Sequence, residues 1–94
     1  MSRADEGEHR KVVHMLDWTA VRIREIREMR GWSQAKLASE MKIASTRIGD
    51  FERGRFEIKV TSLYRIMRAL GISPTEFFRG CPTWDIPTKR KSQS

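Results

Sequence analysis

The sequence predicts an all-α domain of five short helices that pack around one hydrophobic core. Apolar residues recur at helical spacing in five successive segments. Capping residues, glycines and a proline lie between those segments, where helices begin and end. A chain of 94 residues has room for one modest core. We expect a compact domain over residues 17–80, a mostly disordered extension over residues 1–16, and a flexible tail over residues 81–94.

The first helix is expected from about Trp18 to Arg30, with Asp17 or Thr19 as its N-cap. Its apolar residues follow at a spacing of three: Ala20, Ile23 and Ile26. Gly31 then provides the stop. The charged residues before this helix give no helical signal, and at most a short ordered piece is expected near residues 12–16.

The second and third helices lie close together between Ser33 and Gly54. The second is expected over about Gln34–Met41 and is capped by Ser33. The third is expected over about Ser45–Arg53 and ends before Gly54. Each buries one apolar face, so its other face stays exposed. The outward residues of the third helix are Ser45, Thr46, Arg47, Gly49, Asp50 and Arg53.

The fourth and fifth helices complete the expected core. The fourth runs over about Val60–Leu70 with one apolar face, and Gly71 ends it. The fifth begins with a serine cap, a proline and a glutamate, and covers about Pro74–Arg79. Phe77 and Phe78 are adjacent and cannot face the same way on a helix. One should fill the core, which leaves the other for contact with a partner.

The charge balance favours a polyanionic partner. The formal net charge is +7, and residues 18–80 alone hold 13 Lys/Arg against 7 Asp/Glu. Because the basic excess lies in the expected domain, nucleic acid is favoured over a membrane surface. No apolar run has membrane-spanning length, and none has the pattern of a signal peptide. We expect a cytoplasmic protein without a membrane partner.

The reactive side chains form no catalytic or metal-binding pattern. Cys81 is the single cysteine, and it has no metal-ligand spacing with His9 or His14. There is no glycine-rich phosphate loop and no nucleophile–histidine arrangement at workable spacing. We therefore predict a protein that is not an enzyme and needs neither a metal nor another cofactor.

Several motifs at fixed spacing resemble the Cro/repressor-type (XRE-like) helix-turn-helix family. They are Ser33-Gln34-x-x-Leu37-Ala38, Ile43, Ile48, Glu-Arg-Gly at 52–54 and Ala-Leu-Gly-Ile-Ser at 69–73. The resemblance extends from about Val21 to Phe78 and implies a compact repressor-type helix-turn-helix domain. Two positions depart from the family. Lys42 stands where a glycine is common, and Ala44 stands where a Ser or Thr cap is usual.

The resemblance implies that the third helix reads bases and that the start of the second helix anchors the DNA backbone. The base-reading residues would be Ser45, Thr46, Arg47 and Asp50, with Arg47 alternatively holding the backbone. The phosphate-binding residues would be Ser33, Gln34, Arg53 and Arg55. Asp50 is expected to pair with Arg47 or Arg53 rather than accept a bond from cytosine, because phosphates repel a free carboxylate. Arg27 and Glu52 would form an ion pair between helix one and the end of helix three.

The resemblance thus implies a sequence-specific transcriptional regulator, most simply a repressor. One recognition helix reads few base pairs, so a homodimer on an inverted repeat of double-stranded DNA is expected. Its interface would involve Phe77 or Phe78, together with Trp84.

Several alternatives remain open at the level of sequence. The same fold could serve a phage-type repressor, a restriction–modification controller protein, or an antitoxin. An antitoxin would need a toxin or other protein partner, bound through residues 1–16 or 81–94. Ala44, Gly49 and Asp50 favour a different class, a protein-interaction adaptor without specific DNA binding.

Overall fold

The computed structural model describes residues 3–82, with their side chains from His14 onward. Five α-helices make up this part of the chain, and it contains no strand. They are α1 (Arg3–Met29), α2 (Gln34–Met41), α3 (Ser45–Glu52), α4 (Val60–Leu70) and α5 (Pro74–Phe77). The predicted all-α, five-helix class is confirmed.

Helix α1 is much longer than expected. It begins at Arg3, so the expectation of disorder over residues 1–16 is wrong for residues 3–16, which are helical. Neither expected N-cap begins the helix. Thr19 is buried, and its hydroxyl donates a hydrogen bond of 2.9 Å to the Met15 carbonyl one turn earlier. A threonine that bonds backwards in this way lies within a helix and does not begin one.

All five helices contribute to one core. Its fully buried large side chains are Ile23, Leu37, Ile48, Ile66, Leu70 and Phe77. Trp18, Trp32, Ile43, Ile58 and Leu63 are among the partly buried side chains that pack against it. Val60 is apolar, but it is 82% exposed at the first position of α4. The four short helices, α2 to α5, have 4 to 11 residues and owe their stability to this shared packing.

Local chemistry sets several of the helix ends. The Ser33 hydroxyl accepts a hydrogen bond of 3.0 Å from the Lys36 backbone N–H, which caps α2. The Ser73 hydroxyl accepts one of 3.1 Å from the Glu76 N–H, which caps α5. Gly71 ends α4 at a φ of 68°. Helix α5 ends at Phe77 rather than at the expected Arg79, so it is a single turn.

Two arginines satisfy carbonyl groups at distant helix ends. Arg22 of α1 donates bonds of 2.8 Å to the carbonyls of Phe77 and Glu76. Arg65 of α4 donates a bond of 2.7 Å to the Met41 carbonyl at the end of α2. The last carbonyls of a helix have no partner within the helix, so both contacts stabilise a terminus.

Candidate nucleic-acid interface

The turn between α2 and α3 sets the direction in which α3 leaves the core. Lys42 has φ 60° and ψ 46°, the left-handed conformation in which the family commonly has a glycine. The Ile43 N–H then donates a bond of 3.0 Å to the Ala38 carbonyl, and the Ile43 side chain packs on the core. Ala44 is the N-cap of α3 and provides no side-chain bond. No side chain caps the first turn of α3, in which the Arg47 N–H donates a bond of 3.0 Å to the Ala44 carbonyl.

The face of α3 that carries the predicted base-reading residues is open to solvent at its start. Ile48 and Phe51 are buried on the opposite face. Ser45, Thr46 and Arg47 are all exposed. The Arg47 guanidinium carbon lies 5.5 Å from the centroid of the Phe51 ring, a cation–π distance that restrains this side chain. The structure therefore brings three of the four predicted residues together on one accessible surface.

Asp50, the fourth predicted base-reading residue, is paired. Its Oδ1 atom lies 3.1 Å from Nη2 of Arg53 and 3.9 Å from Nε of Arg55. The prediction that Asp50 pairs with a neighbouring arginine is confirmed, with Arg53 as the closer partner. Because one carboxylate partly balances two exposed guanidinium groups, this end of α3 keeps a net positive charge.

The start of α2 lies next to the end of α3. Ser33 is exposed, and its hydroxyl is used as the helix cap. Gln34 is half-buried, and its Nε2 donates a bond of 3.1 Å to Oε1 of Glu52. A helix N-terminus with free N–H groups carries a partial positive charge that suits a phosphate oxygen. The four predicted phosphate-binding residues thus come from the start of α2 and the end of α3.

Arg27 and Glu52 form the predicted ion pair. The Arg27 Nε and Nη2 atoms lie 2.7 Å and 3.0 Å from the two carboxylate oxygens of Glu52. Both side chains are less than a tenth exposed. Arg27 also donates a bond of 2.7 Å to the Trp32 carbonyl. The hydrogen bond to Glu52 is the main cause that raises the pKa of Arg27.

The predicted dimer residues have different surroundings. Phe77 is fully buried, so its prediction as a partner contact is wrong; it is the one of the adjacent pair that fills the core. Phe78 is half-buried and stacks on Trp18, with ring centroids 6.1 Å apart and an angle of 12° between the planes. Trp84 lies outside the described residues. Phe78 therefore remains as a candidate contact.

Exposed apolar side chains near the start of α4 were not predicted from the sequence. Phe56 is 50% exposed and Tyr64 52% exposed, and each lies four residues from the highly exposed Val60. Val60 and Tyr64 are four residues apart on α4, and therefore on one face of it. The only sequence signal for these exposed side chains was a weak one, the two apolar residues in the connection of residues 56–59.

Other kinds of site are not found in the described part of the chain. Its His, Cys, Asp and Glu side chains form no group of three or more that could hold a metal ion. None of the helices described in residues 3–82 is both long enough and apolar enough to cross a membrane.

Comparison with known proteins agrees with this geometry. A helix-turn-helix family model matches residues 23–77. The wild-type restriction-modification controller protein C.Esp1396I has a similar structure, with a TM-score of 0.67 and 30% sequence identity over 70% of this chain and 87% of that one. The C.Esp1396I tetramer in complex with its natural 35 base-pair operator gives the same values. No curated protein matches the sequence.

The family match covers more than half of the chain and includes all of α2, α3 and α4. It also includes both members of the Arg27–Glu52 pair and the whole exposed surface of α3. The chain therefore belongs to the XRE-type (Cro/repressor-type) helix-turn-helix family of DNA-binding transcriptional regulators.

Proposed function

We propose that this regulator represses transcription by binding an inverted-repeat operator as a homodimer, with α3 of each subunit in the major groove. The observation that carries the proposal is the exposed polar start of α3, where Ser45, Thr46 and Arg47 lie opposite the buried Ile48 and Phe51. Hydroxyl and guanidinium groups at such a position reach base edges in the major groove. In this proposal, Ser45, Thr46 and Arg47 select the sequence.

Phosphate contacts supply most of the affinity in this proposal. Ser33 and Gln34 lie at the N-terminus of α2, whereas Arg53 and Arg55 lie where the chain leaves α3. Contacts from two separate helix ends can hold the strands on both sides of one groove. The logarithm of the binding constant should fall linearly with the logarithm of salt concentration, with a slope of about 0.9 for each phosphate neutralised.

Dimerisation provides the selectivity that one α3 cannot. A twofold dimer presents two recognition helices about one DNA turn apart, which matches an inverted repeat. Phe78 and Trp84 are the proposed contacts. Sedimentation at micromolar concentration should give a dimer, and Phe78→Ser should shift it towards monomer. Tyr64→Ser, which removes an exposed aromatic ring on another helix, is the matched control. A wild-type protein that stays monomeric with and without DNA would refute this part of the proposal.

Within this class, a restriction–modification controller protein is the role we propose. The support is the 30% identity to C.Esp1396I, which extends over 87% of that protein. An antitoxin is the alternative, and it would purify from its own cells with a stoichiometric small partner. A controller protein should instead purify without such a partner and lower transcription in vitro from a promoter that carries its operator.

Selection of bound sites from a random duplex library tests the proposal directly. We expect an enriched inverted repeat whose half-site centres lie about 10 base pairs apart. The enriched site should then bind the full chain much more tightly than a scrambled duplex at the same salt concentration. Binding that falls steeply with salt but enriches no site would indicate a non-specific binder or an adaptor protein instead.

A further inference from the structure

The middle of α3 lacks a side chain at Gly49, and the ends of two other side chains fill that space. A Cβ atom at this position would lie 3.3 Å and 3.4 Å from the two terminal nitrogens of the Arg53 guanidinium. It would lie 3.5 Å from Oε1 of Gln34. Gly49 was expected to face outward, but these two side chains bury it, whereas the residues at the start of α3 are exposed. The glycine allows an arginine from the end of α3 and a glutamine from the start of α2 to converge.

Each of the two converging side chains is held by an acidic residue. The Arg53 Nη2 atom lies 3.1 Å from Oδ1 of Asp50, one turn earlier on α3. The Gln34 Nε2 atom donates a bond of 3.1 Å to Oε1 of Glu52, whose side chain is only 4% exposed. A guanidinium has five N–H donors, so Arg53 keeps further donors after it bonds to Asp50.

We propose that Gly49 and Asp50 are positioning residues, which hold the Arg53 guanidinium beside Gln34 as one preorganised phosphate contact. A guanidinium that is already oriented loses less rotational freedom when it binds phosphate. The Asp50 carboxylate is occupied by Arg53 and reads no base. This inference gives a function to the pairing of Asp50 with an arginine, and it rests on the proposed operator binding.

A double-mutant cycle on the full-length protein tests the role of Gly49. Gly49→Leu should displace Arg53 and lower the salt slope of operator binding by about 0.9 for each phosphate that is no longer neutralised. Arg53→Ala should lower the slope by the same amount. In the Arg53→Ala background, Gly49→Leu should lower it no further, because the guanidinium is already absent. An additive decrease would mean that the leucine collides with DNA, and it would overturn the inference.

Gly49→Ala provides a milder second variant, since its Cβ meets only the ends of the Arg53 and Gln34 side chains. It should fold at least as stably as the wild type, because alanine favours helix more than glycine does. Its salt slope should lie between those of the wild type and Gly49→Leu. Arg24→Ala is the matched control, because Arg24 is an exposed arginine that pairs with Glu28 on α1. A wild-type slope in both Gly49 variants would overturn the role of this residue.

Asp50→Asn tests the other half of the proposal through base preference. If Asp50 only positions Arg53, repeating the site selection with Asp50→Asn should return the wild-type operator at every position. A changed preference at one base pair would identify Asp50 as a base-reading residue and overturn its positioning role. These outcomes require that the wild type selects a site; its failure to do so would refute the proposed function itself.

Discussion

Arg27 and Glu52 connect α1 to the last turn of α3 through a bidentate pair with bonds of 2.7 Å and 3.0 Å. Glu52 also accepts the bond from Gln34, so one buried carboxylate links the core to the start of α2. The pair therefore orients α3 relative to the rest of the domain. Its geometry is fixed by hydrogen bonds on both sides rather than by charge alone.

Removal of one partner of this pair should strongly destabilise the fold. Arg27→Met leaves Glu52 as an uncompensated buried charge, and we expect a loss of about 3–5 kcal/mol in the free energy of unfolding. Urea denaturation in the absence of DNA measures it. The double variant Arg27→Met with Glu52→Met should recover much of the loss, because apolar side chains replace both charges. A loss below about 1 kcal/mol for Arg27→Met would mean that the pair behaves as a solvated surface pair.

Lys42→Gly should stabilise the domain. A lysine has a conformational cost at the left-handed φ of 60°, whereas glycine adopts that conformation freely. We expect a gain of about 1 kcal/mol in the free energy of unfolding, reduced somewhat by the greater freedom of glycine in the unfolded chain. Lys42→Ala is the control, because it removes the charge but keeps the backbone cost. Equal stabilisation by both variants would assign the effect to charge.

Arg47→Ala should relax sequence preference. If Arg47 reads a guanine, its removal should cost about 1–3 kcal/mol of discrimination at one base pair of the selected operator. Competition binding with operators substituted at single positions measures this. Removal of the cation–π interaction with Phe51 is a separate structural effect, which a melting temperature without DNA would report. If affinity instead falls equally for every sequence and depends less steeply on salt concentration, Arg47 contacts the DNA phosphates rather than a base.

The Cys81 thiol should react slowly. Burial raises its pKa, so near neutral pH it contains less thiolate than an exposed cysteine. Its sulfur lies 3.6 Å from the Met15 sulfur, which places the described C-terminal end of the chain against α1. Iodoacetamide should alkylate the folded protein more slowly than the urea-unfolded chain. Equal rates in the two states would contradict this packing.

The raised pKa of Cys81 predicts the direction in which the stability of the fold changes with pH. A thiol whose pKa is raised by folding is favoured in its protonated form by the native state. Its contribution to stability is therefore fully present below the unfolded pKa and is lost as pH rises through the folded pKa. Comparison of wild type with Cys81→Ala at neutral and alkaline pH should isolate this effect, because the variant has no thiol to titrate.

The sequence predicted the central helices because their ends have local chemical causes. Helix α2 begins after the Ser33 cap and α4 ends before Gly71, and both helices have the expected bounds. The start of α1 was missed because Asp17 and Thr19 resemble caps but lie within a longer helix. Asp17 and Thr19 lie inside a helix because α1 continues back to Arg3. The charged residues before Asp17 gave no signal of that continuation.

The accessible face of α3 was predictable, whereas its side-chain arrangement was not. The spacing of Ile48 and Phe51 fixes which side of the helix is buried, so the exposure of Thr46 follows directly. The approach of the Gln34 side chain to Gly49 depends on how α2 meets α3 in space. The bonds from Arg22 to α5 join residues 54 and 55 positions apart, and no local pattern encodes such a contact.

The Glu52 carboxylate accepts bonds from both Arg27 and Gln34, and this predicts which mutations would inactivate the protein in cells. A screen for cells that have lost control of the target promoter should recover substitutions at Arg27, although that side chain is buried and lies outside the surface proposed to face the operator. Such alleles would be temperature-sensitive and would regain activity when the cells are grown cold. Alleles at Arg47, on the exposed surface, would be defective at every temperature.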